Sequence, residues 1–262
     1  MNILDKIIEH KKVEVALAKE RVTLEELMQY DFFTRPVFSL KQFLQDDTKT
    51  GIIAEFKRQS PSKGIINGNA DVAGVTRAYT LHGASCLSVL TDEHFFGGSV
   101  DDIQNARFNN IPILRKDFMI DEYQVAEARA IGADVILLIA ACLTPGRVKE
   151  LAVYAKKLGM EVLLEIHSTE ELDLICDETE IVGVNNRDLK TFTVDINRSI
   201  ELSKKIPADK IKIAESGISD VETISIFRRA GFKGFLIGEN FMKQPDPAIA
   251  FATFVQQLNE SV

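Results

Sequence analysis

The chain has 262 residues, 45% of them hydrophobic, enough for a large core and a normal length for one α/β barrel. Its 31 Lys and Arg against 39 Asp and Glu give a net charge of −8 with no long basic run, which argues against nucleic acid as a partner. Any anionic ligand must therefore meet positive charge that is focused locally.

In chain order, residues 1 to about 50 differ from the rest. The opening "MNILDKIIEHKKVEVALAKE" places Ile3, Leu4, Ile7, Ile8, Val15 and Leu17 at helical spacing among charges. It lacks an uninterrupted apolar stretch and is not expected to be a signal peptide. "FFTRPVFSLKQFL" follows, with Phe32, Phe33, Phe38 and Phe43 around a proline. The expected division is a helical extension over 1–50, packed on a separate body over 51–262. A plain stabilising cap explains the extension as well as a functional role does.

From residue 51, apolar runs rich in Ile, Val and Leu alternate with helical patterns. The strand candidates are "GIIAEFK", "CLSVLT", "IPILRKD", "DVILLIA", "EVLLEI", "IVGVNN", "IKIAES" and "GFLIGE". Their ends, at 57, 91, 116, 140, 166, 186, 216 and 239, are spaced by 34, 25, 24, 26, 20, 30 and 23 residues. Such crossovers fit parallel βαβ units. A doubly wound open sheet alternates in the same way. The count of eight, and the lack of a Gly-x-Gly-x-x-Gly turn, favour a closed (β/α)₈ TIM barrel.

The carboxyl ends of these strands, where barrels carry chemistry, are unusually polar. Glu55 and Lys57 end the first and share a face, because side chains alternate along a strand. Lys116-Asp117, Glu165, Asn185-Asn186-Arg187, Glu215-Ser216 and Gly238-Glu239 end later ones. A single carboxylate at such a place is usually a surface or capping group. Several on one side are harder to dismiss, because buried charge is costly unless it is paired or serves a ligand. Two Lys and three Glu could neutralise one another, or bind an anion and move protons.

"ESGI" and "IGEN" put glycines at the loops after the seventh and eighth strands, where barrels often bind phosphate. Ser60 and Lys63 of "SPSKG", on the neighbouring first strand's loop, can reach the same anion. His10, His82, His94 and His167 show no ligand spacing; His167 follows a strand end and could face the site, although a capping or solvent role is the commoner one. Cys86, Cys142 and Cys176 form no metal or redox motif and fit reduced thiols in a cytoplasmic protein. No apolar run approaches the length of a bilayer span, so neither a metal nor a membrane is expected.

Seven segments in order, "IIAEFKRQSPSKG", "SVLTDEHFFGGS", "PILRKDFMID", "LLEIH", "VGVNNRDL", "IAESGI" and "FLIGENFM", resemble the indole-3-glycerol-phosphate synthase family over nearly the whole chain. The resemblance implies ring closure of 1-(2-carboxyphenylamino)-1-deoxyribulose 5-phosphate with loss of CO₂ and water, and no cofactor. It implies Lys116 as the general acid and Glu165 in the proton transfers of dehydration. Lys57 would lie between the phosphate and the reacting hydroxyl, paired with Glu55. Asn185 and Ser216 would bind substrate hydroxyls or carboxylate, and Arg187 and Glu215 would complete the ring of charges. Ser60 and the backbone of Gly217, Gly238 and Glu239 would bracket the phosphate, and Phe96 and Phe118 would wall the aromatic ring. Some relatives carry Ser where Glu239 stands; a carboxylate beside a phosphate would be repelled, so its side chain is expected to point away and only its amide to bind. The implied partner is a small phosphorylated substrate, with no obligate protein partner evident. Two rivals remain: a Schiff-base aldolase using Lys57 or Lys116, and a barrel that only binds phosphorylated ligands.

Overall fold

The computed structural model describes residues 3–188 and 193–261; Leu189 of the "VGVNNRDL" segment lies outside them. Eight strands form the centre: β1 (Ile52–Phe56), β2 (Cys86–Leu90), β3 (Ile113–Lys116), β4 (Val135–Ile139), β5 (Glu161–Ile166), β6 (Ile181–Asn185), β7 (Ile211–Glu215) and β8 (Gly234–Ile237). All pair in parallel with their sequence neighbours, and β1 pairs with β8 through Ile52–Phe235, Ile53–Leu236 and Ala54–Ile237. The sheet is therefore a closed (β/α)₈ barrel, and the doubly wound alternative falls.

Alternation along each strand makes two apolar layers. Ile53, Cys86, Leu114, Leu137, Leu163, Ile181, Ile213 and Leu236 fill the interior, while Ala54, Leu87, Val89, Ile136, Leu164 and Val182 face the surrounding helices. Most crossover helices begin on a short acceptor: Asp71, Asp121, Asp195, Asp220 and Asp246 each accept backbone N–H bonds at a helix start. The shortest crossover, after β5, holds only a 3₁₀ helix, Thr169–Leu174. No described helix is long and apolar enough to cross a membrane.

The first fifty residues touch both ends of the barrel. At the amino-terminal end of the strands, the helix Leu40–Gln45 inserts Leu40 and Leu44 into the interior cluster. Fully buried Asp134 accepts bonds there from Arg35 (2.7 Å), Arg107 (2.5 Å), and the amides of Phe38 (2.9 Å) and Ile113 (2.8 Å). Phe38 and Phe43 stack edge to face, and Arg107 lies over the Phe38 ring. At the other end the helix Ile3–Arg21 buries Ile7, Lys11 and Val15. Leu17, grouped with the apolar positions in the sequence, is instead exposed. The buried stripe runs at steps of four, and its middle member is a lysine because carboxylates wait beneath it.

Candidate active site

The carboxyl ends of the strands open into a cavity of about 320 Å³. The residues to which the resemblance gives a role line it: Glu55, Lys57, Ser60, Phe96, Lys116, Phe118, Glu165, Asn185, Arg187, Glu215, Ser216, Gly217, Gly238 and Glu239, whereas Lys63, also expected at the phosphate, does not. Parity along the strands brings them there. Glu55, Lys116, Glu165, Asn185 and Glu215 continue the inward-facing series below them, so the apolar interior gives way to a charged layer at its top.

The centre of that layer is Lys116. Its Nζ lies 2.9 Å from Glu165 Oε2 and 3.5 Å from Glu215 Oε2. Burial alone would strip its proton, but Glu165, Glu215 and Glu55 hold it above the usual lysine range. The two neighbouring carboxyls are pushed apart. Burial works against the Glu165 charge, yet Lys116, His167 and Asn185 hold it well below the usual carboxylate range. Asn185 Nδ2 donates to Glu165 Oε1 at 2.9 Å. Glu215 is pushed up to about 8 by burial and by the Glu165 charge beside it. At neutral pH Lys116, Glu165 and Glu215 thus stand together as an ammonium, a carboxylate and a carboxylic acid, a set able to give and take protons. Glu215 needs a particular neighbour: a Cβ on Gly183 would lie 2.0 Å from Glu215 Oε1.

A second pair stands at the rim, where Lys57 Nζ donates to Glu55 Oε1 at 2.7 Å. A Cβ on Gly238 would come within 2.5 Å of the same oxygen, so glycine lets the β8 loop pass close to Glu55. After β7, Ser216 and Gly217 both turn into the left-handed region, with φ of 68° and 71°. Ser60 lies in a two-residue hairpin, Gln59–Ser60 against Gly64–Ile65, folded over the opening. The Glu239 carboxylate is 3.8 Å from both Lys63 Nζ and Arg187 Nη2, within reach of two cations at the rim. Phe96 and Phe118 face each other with centroids 5.9 Å apart. Asn186 turns from the cavity and donates to Ser216 O at 2.7 Å, bracing the β7 loop.

One residue escaped the sequence reading, and another, His167, takes the role given there as the less common alternative. Lys11 is fully buried, with Nζ 3.0 Å from Asp92 Oδ2 and 2.9 Å from Asp117 Oδ1, so the N-terminal helix is tied to the loops after β2 and β3. His167 is not a capping or solvent group but sets Nε2 3.0 Å from Glu165 Oε1 and Nδ1 3.4 Å from Glu171 Oε2. Burial would deprotonate it, but Glu165 and Glu171 raise it to about 9. The signal that favours this role is parity, since His167 sits two residues beyond Glu165. Among the described residues no group of His, Cys, Asp and Glu is arranged to hold a metal ion.

Residues 4–254 match the family model described as indole-3-glycerol phosphate synthase. Curated relatives bearing that name include one from Bacteroides thetaiotaomicron, 47% identical over 98% of this chain and 99% of its own length. Another, from Bordetella pertussis, is 42% identical over 97% and 99%. Among solved structures the barrel superposes on 3-hexulose-6-phosphate synthase from Salmonella typhimurium, with a TM-score of 0.63 at 14% identity over 80% of this chain and 99% of that one. It also matches the tryptophan synthase α subunit from Legionella pneumophila, with a TM-score of 0.61 at 12% identity over 85% and 97%. At such identities these last two share the fold alone.

Proposed function

The chain belongs to the indole-3-glycerol phosphate synthase family, and from that premise we propose how its cavity divides the reaction. The enzyme is a carboxy-lyase of tryptophan biosynthesis. It closes the ring of 1-(2-carboxyphenylamino)-1-deoxyribulose 5-phosphate, with loss of CO₂ and water, to indole-3-glycerol phosphate.

Lys116 is the proton donor of ring closure. As the aromatic carbon attacks the ketone, negative charge grows on its oxygen, and an ammonium within reach both stabilises and protonates it. The observation that carries this role is the position of Lys116 Nζ, 2.9 Å from Glu165 and 3.5 Å from Glu215. Those carboxyls keep the ammonium charged until an alkoxide, a far stronger base, develops. The same charge makes Lys116 unfit as an imine nucleophile, which must be neutral. Decarboxylation restores the aromatic ring. Glu165 then accepts the ring C–H proton as the hydroxyl leaves. Lys57, oriented by Glu55, stands between that hydroxyl and the phosphate. Asn185 and Ser216 hold substrate hydroxyls or carboxylate, with Arg187 and Glu215 completing the charged ring. Phe96 and Phe118 wall the aromatic ring, and Ser60 with the amides of Gly217, Gly238 and Glu239 brackets the phosphate. Residues 1–50 act as a separate unit that braces both ends of a barrel spanning 51–262. The setting is the cytoplasm, with no nucleic acid, membrane or obligate partner chain.

The test compares Lys116→Met with Lys57→Met, following product by indole fluorescence. Loss of a general acid costs about 10²- to 10⁴-fold, so Lys116→Met should lose kcat at the upper end while still binding product. Lys57→Met should change KM as well as kcat. If Lys116→Met keeps more than about a tenth of kcat, the proton-donor role passes to Lys57.

A further inference from the structure

The reaction has a proton deficit. The ketone oxygen departs as water and needs two protons. The ring carbon beside it gives up one, and the carboxylate, leaving as CO₂, gives none. One proton per turnover must come from solvent: Glu165 hands the C–H proton to the departing hydroxyl, and Lys116, having protonated the ketone oxygen, is the group left one short.

A second cavity lies behind Glu165. His167, Glu171, Asp188, Arg198 and Lys205 line it, and none of these lines the first cavity. Glu165 lines only the first. Between the two stands the His167 ring, whose side chain is 9% exposed, with one nitrogen toward Glu165 (3.0 Å) and the other toward Glu171 (3.4 Å). Neither contact is an aligned hydrogen bond. The ring is therefore held between the two carboxylates by charge and close contact rather than by a fixed hydrogen bond. Glu171, at 18% exposure, is the outer member and also accepts the His167 amide at 2.6 Å.

We propose that Glu171 and His167 form a relay that carries the solvent proton from the second cavity to Glu165. This rests on the proton-transfer role proposed for Glu165. His167 is a positioning residue, since it meets the substrate only through Glu165. In each cycle the imidazolium passes its Nε2 proton through the Glu165 carboxylate to the neutral Lys116 amine 2.9 Å beyond it. The ring keeps its Nδ1 proton, and a flip turns the vacated nitrogen to Glu171, which delivers the solvent proton to it. The charged groups around the ring are Glu165 on β5, Glu171 on the following turn, Lys116 beyond Glu165, and Asp188, Arg198 and Lys205 across the second cavity. The elevated proton affinity of His167 agrees with a ring that is refilled readily at neutral pH.

The experiment measures kcat and KM for His167→Gln, Glu171→Gln and Glu165→Gln, with and without added imidazole. His167→Gln should lower kcat roughly 10- to 100-fold, less than loss of a direct acid or base, with KM within twofold. Imidazole should restore part of the rate in a concentration-dependent way, and the solvent deuterium isotope effect on kcat should rise. Glu171→Gln should show the same pattern more weakly. An unchanged kcat in His167→Gln, beside an inactive Glu165→Gln, overturns the relay and leaves the role of Glu165 standing. A lowered kcat that imidazole does not raise, with a lowered melting temperature, makes His167 structural and also overturns it. An active Glu165→Gln removes the role of Glu165 and the relay together.

Discussion

Replacing Lys11 by methionine keeps the length of the side chain and removes the cation that two buried carboxylates share. Lys11 Nζ is 3.0 Å from Asp92 Oδ2 and 2.9 Å from Asp117 Oδ1, and all three side chains are fully buried. Deleting one partner of a buried pair costs about 3–5 kcal/mol. The lower end applies, because each carboxylate keeps donors. Asp92 Oδ1 accepts the Phe95 amide at 2.8 Å. Asp117 accepts Thr91 Oγ1 at 2.6 Å, Arg115 at 3.2 Å and the Phe118 amide at 2.8 Å. About 3 kcal/mol in a chain of this size lowers Tm by roughly 6–12 °C, measured by thermal unfolding at pH 7. Acid provides an internal control. Burial alone would raise Asp117, but Lys11 and Arg115 lower it from 3.8 to about 2. Its folded value is depressed, so its stabilisation, about 2–3 kcal/mol, is complete above pH 3.8 and is lost as pH falls toward 2. The gap between variant and wild type should therefore narrow across that window. A variant melting within about 2 °C of wild type at pH 7, well short of the expected shift, would refute the reasoning.

Glu215→Gln should flatten the pH dependence of stability. The folded protein holds the Glu215 proton that the unfolded chain releases near 4.5, so this group's contribution declines from there up to about 8; denaturant midpoints across that range should converge in the variant, and parallel profiles would count against it. Gly183→Ala would set a Cβ 2.0 Å from Glu215 Oε1. It should displace that carboxyl and cut kcat at least tenfold, about 1.4 kcal/mol of barrel-top geometry, and wild-type turnover would show that Glu215 has no fixed place. Deleting residues 1–50 removes Leu40, Leu44 and Arg35 from the barrel's closed end and Lys11 from its open end, so the truncated chain should fail to give a cooperative melt, and an unchanged Tm would sink the idea that both ends need it.

What the sequence showed depended on whether partners were local. Glu55 and Lys57 are two apart on a strand, so parity alone put them on one face, and the structure pairs them at 2.7 Å. Eight apolar runs were readable because a strand buried on both faces needs a continuous one. Lys11 was unreadable for the opposite reason. On an amphipathic helix a lysine is read as solvated, and its partners Asp92 and Asp117 lie some eighty to a hundred residues away. Arg35 and Asp134 are separated by 99 residues and were hidden in the same way. After β5, the short crossover of 20 residues was visible as a number, but not that it would hold a 3₁₀ turn and bring Glu171 up to His167.

The two ends of the barrel answer opposite demands with one chain segment. At the closed end, Asp134 is buried with four donors, two from arginines and two from backbone amides, so its charge is compensated within the protein. At the open end, Lys116, Glu165 and Glu215 are buried with fewer partners, and Glu215 Oε1 has no hydrogen-bond partner among the described residues. Burial and the Glu165 charge raise Glu215, while the surrounding carboxyls keep Lys116 charged; the places they leave open are ones a phosphorylated, carboxylated substrate can complete. Such a site costs stability that must come from elsewhere in the fold. The helix Leu40–Gln45 supplies some by filling the floor with Leu40 and Leu44, about 1.5–3 kcal/mol for each buried leucine. The helix Ile3–Arg21 supplies more by satisfying Asp92 and Asp117 beside the cavity. The extension is therefore not an ornament on a self-sufficient barrel: its two helices offset, at separate ends, the strain of keeping charged groups ready in the middle.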